Sequence, residues 1–203
     1  VVRTKSPVTI GVLGTHSTGK SIFLARLGRA LCRNNFQIVT VADLGERAKR
    51  IGLPTLFNHT YVSTLWFITR GISNELEASL HADVVLVDRA VPDALGYYRA
   101  ALAYCEEQPD AIAVMTLESM MRSHSEQYDL LLRTTLDPDL PLGRNKSRDP
   151  DLDFRALANQ HVLQVLLDLD HSHEKLHSDG HEAVLDRALA FANSRLTGAG
   201  CVS

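Results

Sequence analysis

Short apolar runs alternate along this chain with stretches in which apolar residues recur every three or four positions. Val8-Thr9-Ile10-Gly11-Val12-Leu13 is β-branched and apolar, the pattern of a strand buried on both faces. From Lys20 to Arg33, Ile22, Phe23, Leu27, Ala30 and Leu31 fall on one side of a helix. Gln37 to Val41 reads as a second strand. Tyr61, Leu65, Ile68, Ile72 and Leu76 mark a long amphipathic helix over residues 60–80, and Val84-Val85-Leu86-Val87 is another buried strand. Residues 92–106 and 111–125 read as helices divided by Gln108-Pro109-Asp110, and Tyr128 to Arg133 as a strand. Asp149-Pro150 has the form of a cap with proline at the first helical position. It would open a helix carrying Phe154, Leu157, Ala158, His161, Val162, Val165 and Leu166. A last helix is expected from about Glu182 to Leu196. Strands alternating with helices predict right-handed crossovers and a parallel sheet.

Composition narrows the function classes. The 203 residues suit one domain, 45% of them are apolar, and the net charge is −3, so disorder is not expected. No run of apolar residues is long enough to span a membrane, no secretory leader is visible, and a cytoplasmic location is expected. A mildly acidic balance argues against nucleic acid as a partner. Cys32, Cys105 and Cys201 are odd in number and widely spaced, which suits a reducing compartment and offers no Cys-x-x-Cys knuckle. Of the 21 basic residues 16 are Arg, the better fork for phosphate, although base composition alone produces the same bias. His171, His173, His177 and His181 cluster near the end and read as a polar loop rather than a metal site.

The densest chemical signal is Gly14-Thr15-His16-Ser17-Thr18-Gly19-Lys20-Ser21, which matches G-x-x-x-x-G-K-[ST] between a strand and a helix. In that pattern successive backbone N–H groups surround phosphates, the lysine reaches the β/γ-phosphates and the Ser hydroxyl can ligate Mg²⁺. Asp88 follows the buried run 84–87, at the strand edge where ligands of open α/β sheets gather. It can hold Mg²⁺ or accept a proton from an attacking hydroxyl; a solvated strand-end carboxylate is the plainer alternative. Between Asp137 and Asp153 lies a Pro-rich segment with Arg144, Lys146 and Arg148, of a length that is usually functional or disordered.

Taken in order, the P-loop, Leu65-Trp66, Glu75, Glu77, Asp88-Arg89, Asp93, Tyr97-Tyr98 and the basic loop at 144–148 resemble P-loop kinases of the nucleoside and nucleotide kinase group. Within it the chain resembles the AAA-type ATPase family related to the bacterial nicotinamide riboside kinase domain, over roughly residues 8 to 165. The resemblance implies a three-layer α/β P-loop NTPase fold with a mostly parallel five-stranded sheet and a mobile lid near 138–153. It implies ATP and Mg²⁺ as cofactors and a small hydroxylated acceptor, a nucleoside or nucleotide. Asp88 would serve the metal or act as base, and Arg89 would contact the acceptor or its phosphate, with a structural pairing to Asp93 or a neighbouring Glu as the alternative. Glu46 and Arg47 would lie on the acceptor side, with Trp66 as pocket wall or core. Arg144 and Arg148 would close over the transferring group, unless that charged run is only solvated loop. The stretch His173 to Ser178 should hold the fifth strand, yet only Leu176 there is strongly apolar. A homodimer is compatible with this layout. A nucleotide-dependent switch acting through a protein partner is the competing class.

Overall fold

A computed structural model describes residues 6–15, 18–135, 151–177 and 180–197. Its elements alternate as expected: β1 (Val8–Leu13), α1 (Lys20–Arg33), β2 (Ile38–Val41), α2 (Gly45–Arg50), a 3₁₀ turn (Leu56–Asn58), α3 (Tyr61–Ser79), β3 (Val84–Asp88), α4 (Pro92–Tyr104), α5 (Ala111–Ser125), β4 (Leu130–Thr134), α6 (Leu152–Asp168), β5 (Glu174–Leu176) and α7 (His181–Thr197). The strands form one five-stranded sheet in the order β2-β3-β1-β4-β5, and every pairing is parallel. This is a three-layer α/β P-loop NTPase fold. The middle strand is the one that carries the phosphate-loop motif at its end.

Helices cover both faces because the strands are apolar on both. Ile10, Val12, Leu86 and Leu132 pack against Phe23 and Leu27 of α1 and Val184 and Ala188 of α7. On the other face Val85, Val87 and Leu131 meet Tyr97 and Ala101 of α4 and Phe154 and Val162 of α6. A further apolar layer, Ile68, Leu95, Leu117, Met121 and Val165, joins α5 to α3, α4 and α6. The close approach of α4 to α6 depends on Gly96, where a Cβ would stand 2.5 Å from Val162 Cγ2. Val8, Ile10, Val12 and Leu13 of β1, with Val84 to Val87 of β3, are all buried, so the phosphate loop springs from the best-packed part of the sheet.

Several boundaries differ from the sequence pattern. The helix expected from Asp149-Pro150 begins at Leu152, and its cap is Asp151, whose carboxylate accepts the Phe154 N–H at 2.9 Å. Asp149, Pro150 and most of the proposed lid lie outside the described residues; residues 152–153, placed at the lid's end, belong to α6. The fifth strand is three residues long and is held by pairing with β4 and by the buried Leu176. The faces of two helices are rotated from the expected ones. Ile22 is 67% exposed while Leu24 is buried in its stead. On α3, Leu76 is 48% exposed and its neighbour Glu75 is buried, because Glu75 has polar partners inside. The short helix α2 carries no apolar periodicity in sequence beyond the single buried Ala48.

Candidate functional site

The loop between β1 and α1 is shaped by two glycines with positive φ, Gly14 (123°) and Gly19 (82°). A Cβ at Gly14 would lie 2.3 Å from Thr134 Oγ1, so only glycine fits there. Thr134 Oγ1, at the carboxyl end of β4, lies 2.7 Å from Thr18 Oγ1 and 3.2 Å from the Leu13 carbonyl, and its single proton serves one of the two. The opposite side of the loop is fixed by Asp93, whose Oδ1 accepts the Gly14 N–H at 2.9 Å. His16 and Ser17 lie outside the described residues. Thr15 and Thr18 are buried, and Thr18 donates to the Thr15 carbonyl (2.9 Å).

Lys20 opens α1 with its side chain folded back into the loop. Its ammonium donates to the carbonyls of Gly14 (2.8 Å) and Thr15 and makes a longer bond to Thr18 Oγ1 (3.4 Å). Burial above all, and then the nearby positive Arg89, pull the Lys20 pKa down to about 7, against the pull of Asp93, Asp88 and Asp43. Next in sequence, the Ser21 hydroxyl donates to Asp88 Oδ2 at 2.6 Å, which joins the phosphate loop to the end of β3.

Arg89 follows Asp88 with φ of 71°, an unusual backbone for a residue with a side chain. Both its N–H and that of Ala90 donate to the Val12 carbonyl (3.0 and 3.1 Å), which forces the sharp turn. Its guanidinium donates to Asp43 Oδ2 (2.9 Å) and Asp93 Oδ2 (2.7 Å), and lies 4.9 Å from the centre of the Tyr97 ring. Burial would lower the Arg89 pKa, but Tyr97, Asp43 and Asp93 outweigh it and hold the group charged. Asp93 is pushed up by burial, opposed by Arg89 and Lys20. Partial desolvation would raise the Asp43 pKa, but Arg89 and the Gly45 amide hold it below the ordinary carboxylate range. His59 completes this corner, with its ring 5.3 Å from Phe67 and 6.0 Å from Tyr97. Burial, then Arg89, drop its pKa to about 4, so it is neutral at physiological pH.

The described residues thus bring Gly14, Thr15, Thr18, Gly19, Lys20, Ser21, Asp88 and Arg89 to one end of the sheet. Arg89 lies beside the loop and is paired with Asp93, the structural alternative raised for it. Glu46 and Arg47 sit on the exposed side of α2, Glu46 beside Lys49. Trp66 is half-buried with its ring against Phe67, one ring removed from His59. Arg144 and Arg148 lie outside the described residues. The clustered histidines are dispersed: His171 bonds the Ser125 carbonyl, His177 meets Thr135, and His181 packs its ring on Phe23 beside Gly19. Sequence reasoning missed Asp43 and Thr134. Both stand at or just beyond the carboxyl end of a strand, the rule that singled out Asp88. His59, in a Pro- and Thr-containing connection, carried no such signal.

The sequence matches the AAA domain family over residues 9–183. The chain belongs to that family. No curated protein matches it. Among solved structures this AAA domain chain is similar to a NadR protein in complex with NAD and AMP-PNP, at 15% identity and TM-score 0.67, over 92% of this chain and 50% of that one. It is likewise similar to a NadR protein in complex with NR (14%, TM-score 0.63, 95% and 51%). A third is the thymidylate kinase of Ehrlichia chaffeensis (14%, TM-score 0.59, 91% and 100%). The chain spans about half the length of the NadR chains. At these identities the likeness shows the shared three-layer P-loop fold.

Proposed function

We propose that this chain is an ATP- and Mg²⁺-dependent phosphotransferase acting on a small hydroxylated acceptor, a nucleoside or nucleotide. The observation that carries the reading is the juxtaposition of Lys20 with the Ser21–Asp88 hydrogen bond at the mouth of a glycine-shaped loop. A hydroxyl and a carboxylate oxygen 2.6 Å apart are the hard-oxygen donors that suit Mg²⁺, which takes one or two protein oxygens and completes its shell with water and phosphate. When bound, Mg²⁺ would neutralise charge on the transferring phosphoryl group. The likeness in fold to a thymidylate kinase and to NadR proteins bound to NAD, AMP-PNP and NR supports a nucleotide donor and an acceptor of nucleoside type.

In this reading the loop N–H groups of Thr15 to Ser21 hold the donor phosphates, the Gly14 N–H being held by Asp93, and Lys20 exchanges two loop carbonyls for phosphate oxygens. Ser21 and Asp88 hold the metal. Asp88 also takes the acceptor's hydroxyl proton. Arg89, clamped by Asp43 and Asp93, is a rigid cation at the acceptor side, where Glu46, Arg47 and Trp66 complete the approach. Arg144 and Arg148 would offset the charge of the transferred group from the segment at 138–153. Phosphoryl transfer needs mostly positioning and charge stabilisation, and these residues supply both.

The test is ATP consumption measured across a panel of nucleosides and nucleotides. Acceptor-stimulated ADP release is expected, with Lys20→Ala and Asp88→Asn each lowering turnover at least about a hundredfold while the circular dichroism stays unchanged. Wild-type turnover in Asp88→Asn overturns the assignment of Asp88. ADP release stimulated only by a protein partner overturns the kinase reading in favour of a switch.

A further inference from the structure

Glu75 lies at the inner face of α3 and is 5% exposed. A carboxylate buried this deeply is costly unless its oxygens are matched, and an apolar residue would fill the same space without that cost. Both oxygens are matched. Oε2 pairs with Nε2 of the buried His124 on α5 at 2.8 Å, and Oε1 accepts the Tyr128 hydroxyl at 3.0 Å. The Tyr128 oxygen in turn accepts the Val91 N–H at 2.9 Å. An amide can only donate, so the phenol proton is directed at Glu75. Burial and the Glu75 charge raise the Tyr128 pKa far above its ordinary value, which keeps that proton in place.

The far end of this relay is the start of α4. Val91 is the cap of that helix; Arg89 lies two residues before it and Asp93 two residues after. Two glycines leave the relay its room. A Cβ at Gly71 would stand 3.0 Å from Val91 Cγ2, and one at Gly11 would stand 2.9 Å from Ala90 Cβ and 3.1 Å from Tyr128 Cδ1. From Val91 one rigid turn leads to the Asp93 carboxylate, which holds the Gly14 N–H and Arg89. We infer that Glu75, His124 and Tyr128 are positioning residues. They fix the first turn of α4, and through Asp93 they hold the phosphate loop in its nucleotide-ready form. The inference rests on the reading of that loop as a nucleotide site.

Two measurements test it, both made at a temperature where circular dichroism shows each variant folded. The first is the affinity for a non-hydrolysable ATP analogue with Mg²⁺, by titration calorimetry. The second is amide hydrogen exchange at Gly14. Tyr128→Phe removes one oxygen and should weaken analogue binding about tenfold and speed exchange at Gly14. Glu75→Ala should do the same. Glu75→Gln should keep wild-type behaviour, because its carbonyl still accepts from Tyr128 and its amide can face His124 in the other tautomer. A merely structural network would lower thermal stability without moving either measurement in the folded protein. Unchanged affinity and unchanged Gly14 exchange in Tyr128→Phe therefore overturn the inference, even if Glu75→Ala does not fold. If the wild-type chain binds no analogue, the nucleotide reading fails instead, and Gly14 exchange in Tyr128→Phe still decides whether the relay holds the loop.

Discussion

Raising the pH should loosen this protein's hold on nucleotide, through one lysine. Lys20 is 6% exposed, and its pKa of about 7 in the free protein reflects burial first and Arg89 second. Bound phosphate supplies the negative charge that burial withholds, so the bound form keeps the proton toward the ordinary value of 10.5. Above about pH 7 the free protein must then take up a proton in order to bind. Apparent affinity should fall about tenfold, or ~1.4 kcal/mol, for each pH unit across roughly pH 8 to 10. Titration calorimetry with Mg-ADP in two buffers of different ionisation heat reads this directly. Proton uptake should climb from about one half near pH 7 toward one near pH 9. The ligand's own second phosphate ionisation, near pH 6, lies below the window. Lys20→Arg stays charged throughout, so any binding it retains should show a flat profile. The unliganded fold should respond in the opposite sense. The unfolded chain binds the Lys20 proton up to about 10.5 and the folded chain only up to about 7, so stability rises with pH between those values, by at most ~1.4 kcal/mol per unit. Melting temperature without ligand should rise while the ligand-induced shift shrinks. A wild-type affinity that stays level over this range, with no proton uptake, would refute the reasoning.

Two further outcomes concern the frame around the loop. Asp93→Ala removes the acceptor of the Gly14 N–H and leaves the half-buried Arg89 with Asp43 and Tyr97. Losing a charged hydrogen bond costs about 1.5–3 kcal/mol, so thermal unfolding should drop by roughly 3–12 °C, and a drop of only a degree or so would contradict the pairing. Gly96→Ala places a Cβ 2.5 Å from Val162 Cγ2 and 2.8 Å from its Cα, so α4 and α6 must part. A loss of about 2–3 kcal/mol is expected by chemical denaturation, with Val162→Ala restoring only part of it because the backbone contact remains.

Much of the sheet was legible because burial on both faces writes continuous apolar runs, as at Val8–Leu13 and Val84–Val87. The phosphate loop was legible because its geometry demands glycine at Gly14 and Gly19. Helix faces were less so. Periodicity points Leu76 inward, but Glu75 takes the buried position because His124 and Tyr128, some 50 residues away in sequence, satisfy it. Such pairings leave no local mark. Asp43 carries only the strand-end signal that also marks Asp88, and its role shows once the turn at Arg89 brings the guanidinium to it. Asp151 rather than Asp149 caps α6, since either carboxylate suits a cap and only the path of the chain chooses between them.

The locking of the phosphate loop by Thr134 has a consequence for how the chain acquires its site. Leu13 and Thr18 are separated from Thr134 by 121 and 116 positions. The loop that looks most local in sequence is therefore finished by a contact that spans more than half of the chain. Contacts of that kind carry a high loop-closure cost and slow folding. An amino-terminal piece ending before β4 would have every residue of the motif and lack the hydroxyl that closes it. In a refolding experiment, nucleotide affinity should thus lag helix formation and report the docking of β4.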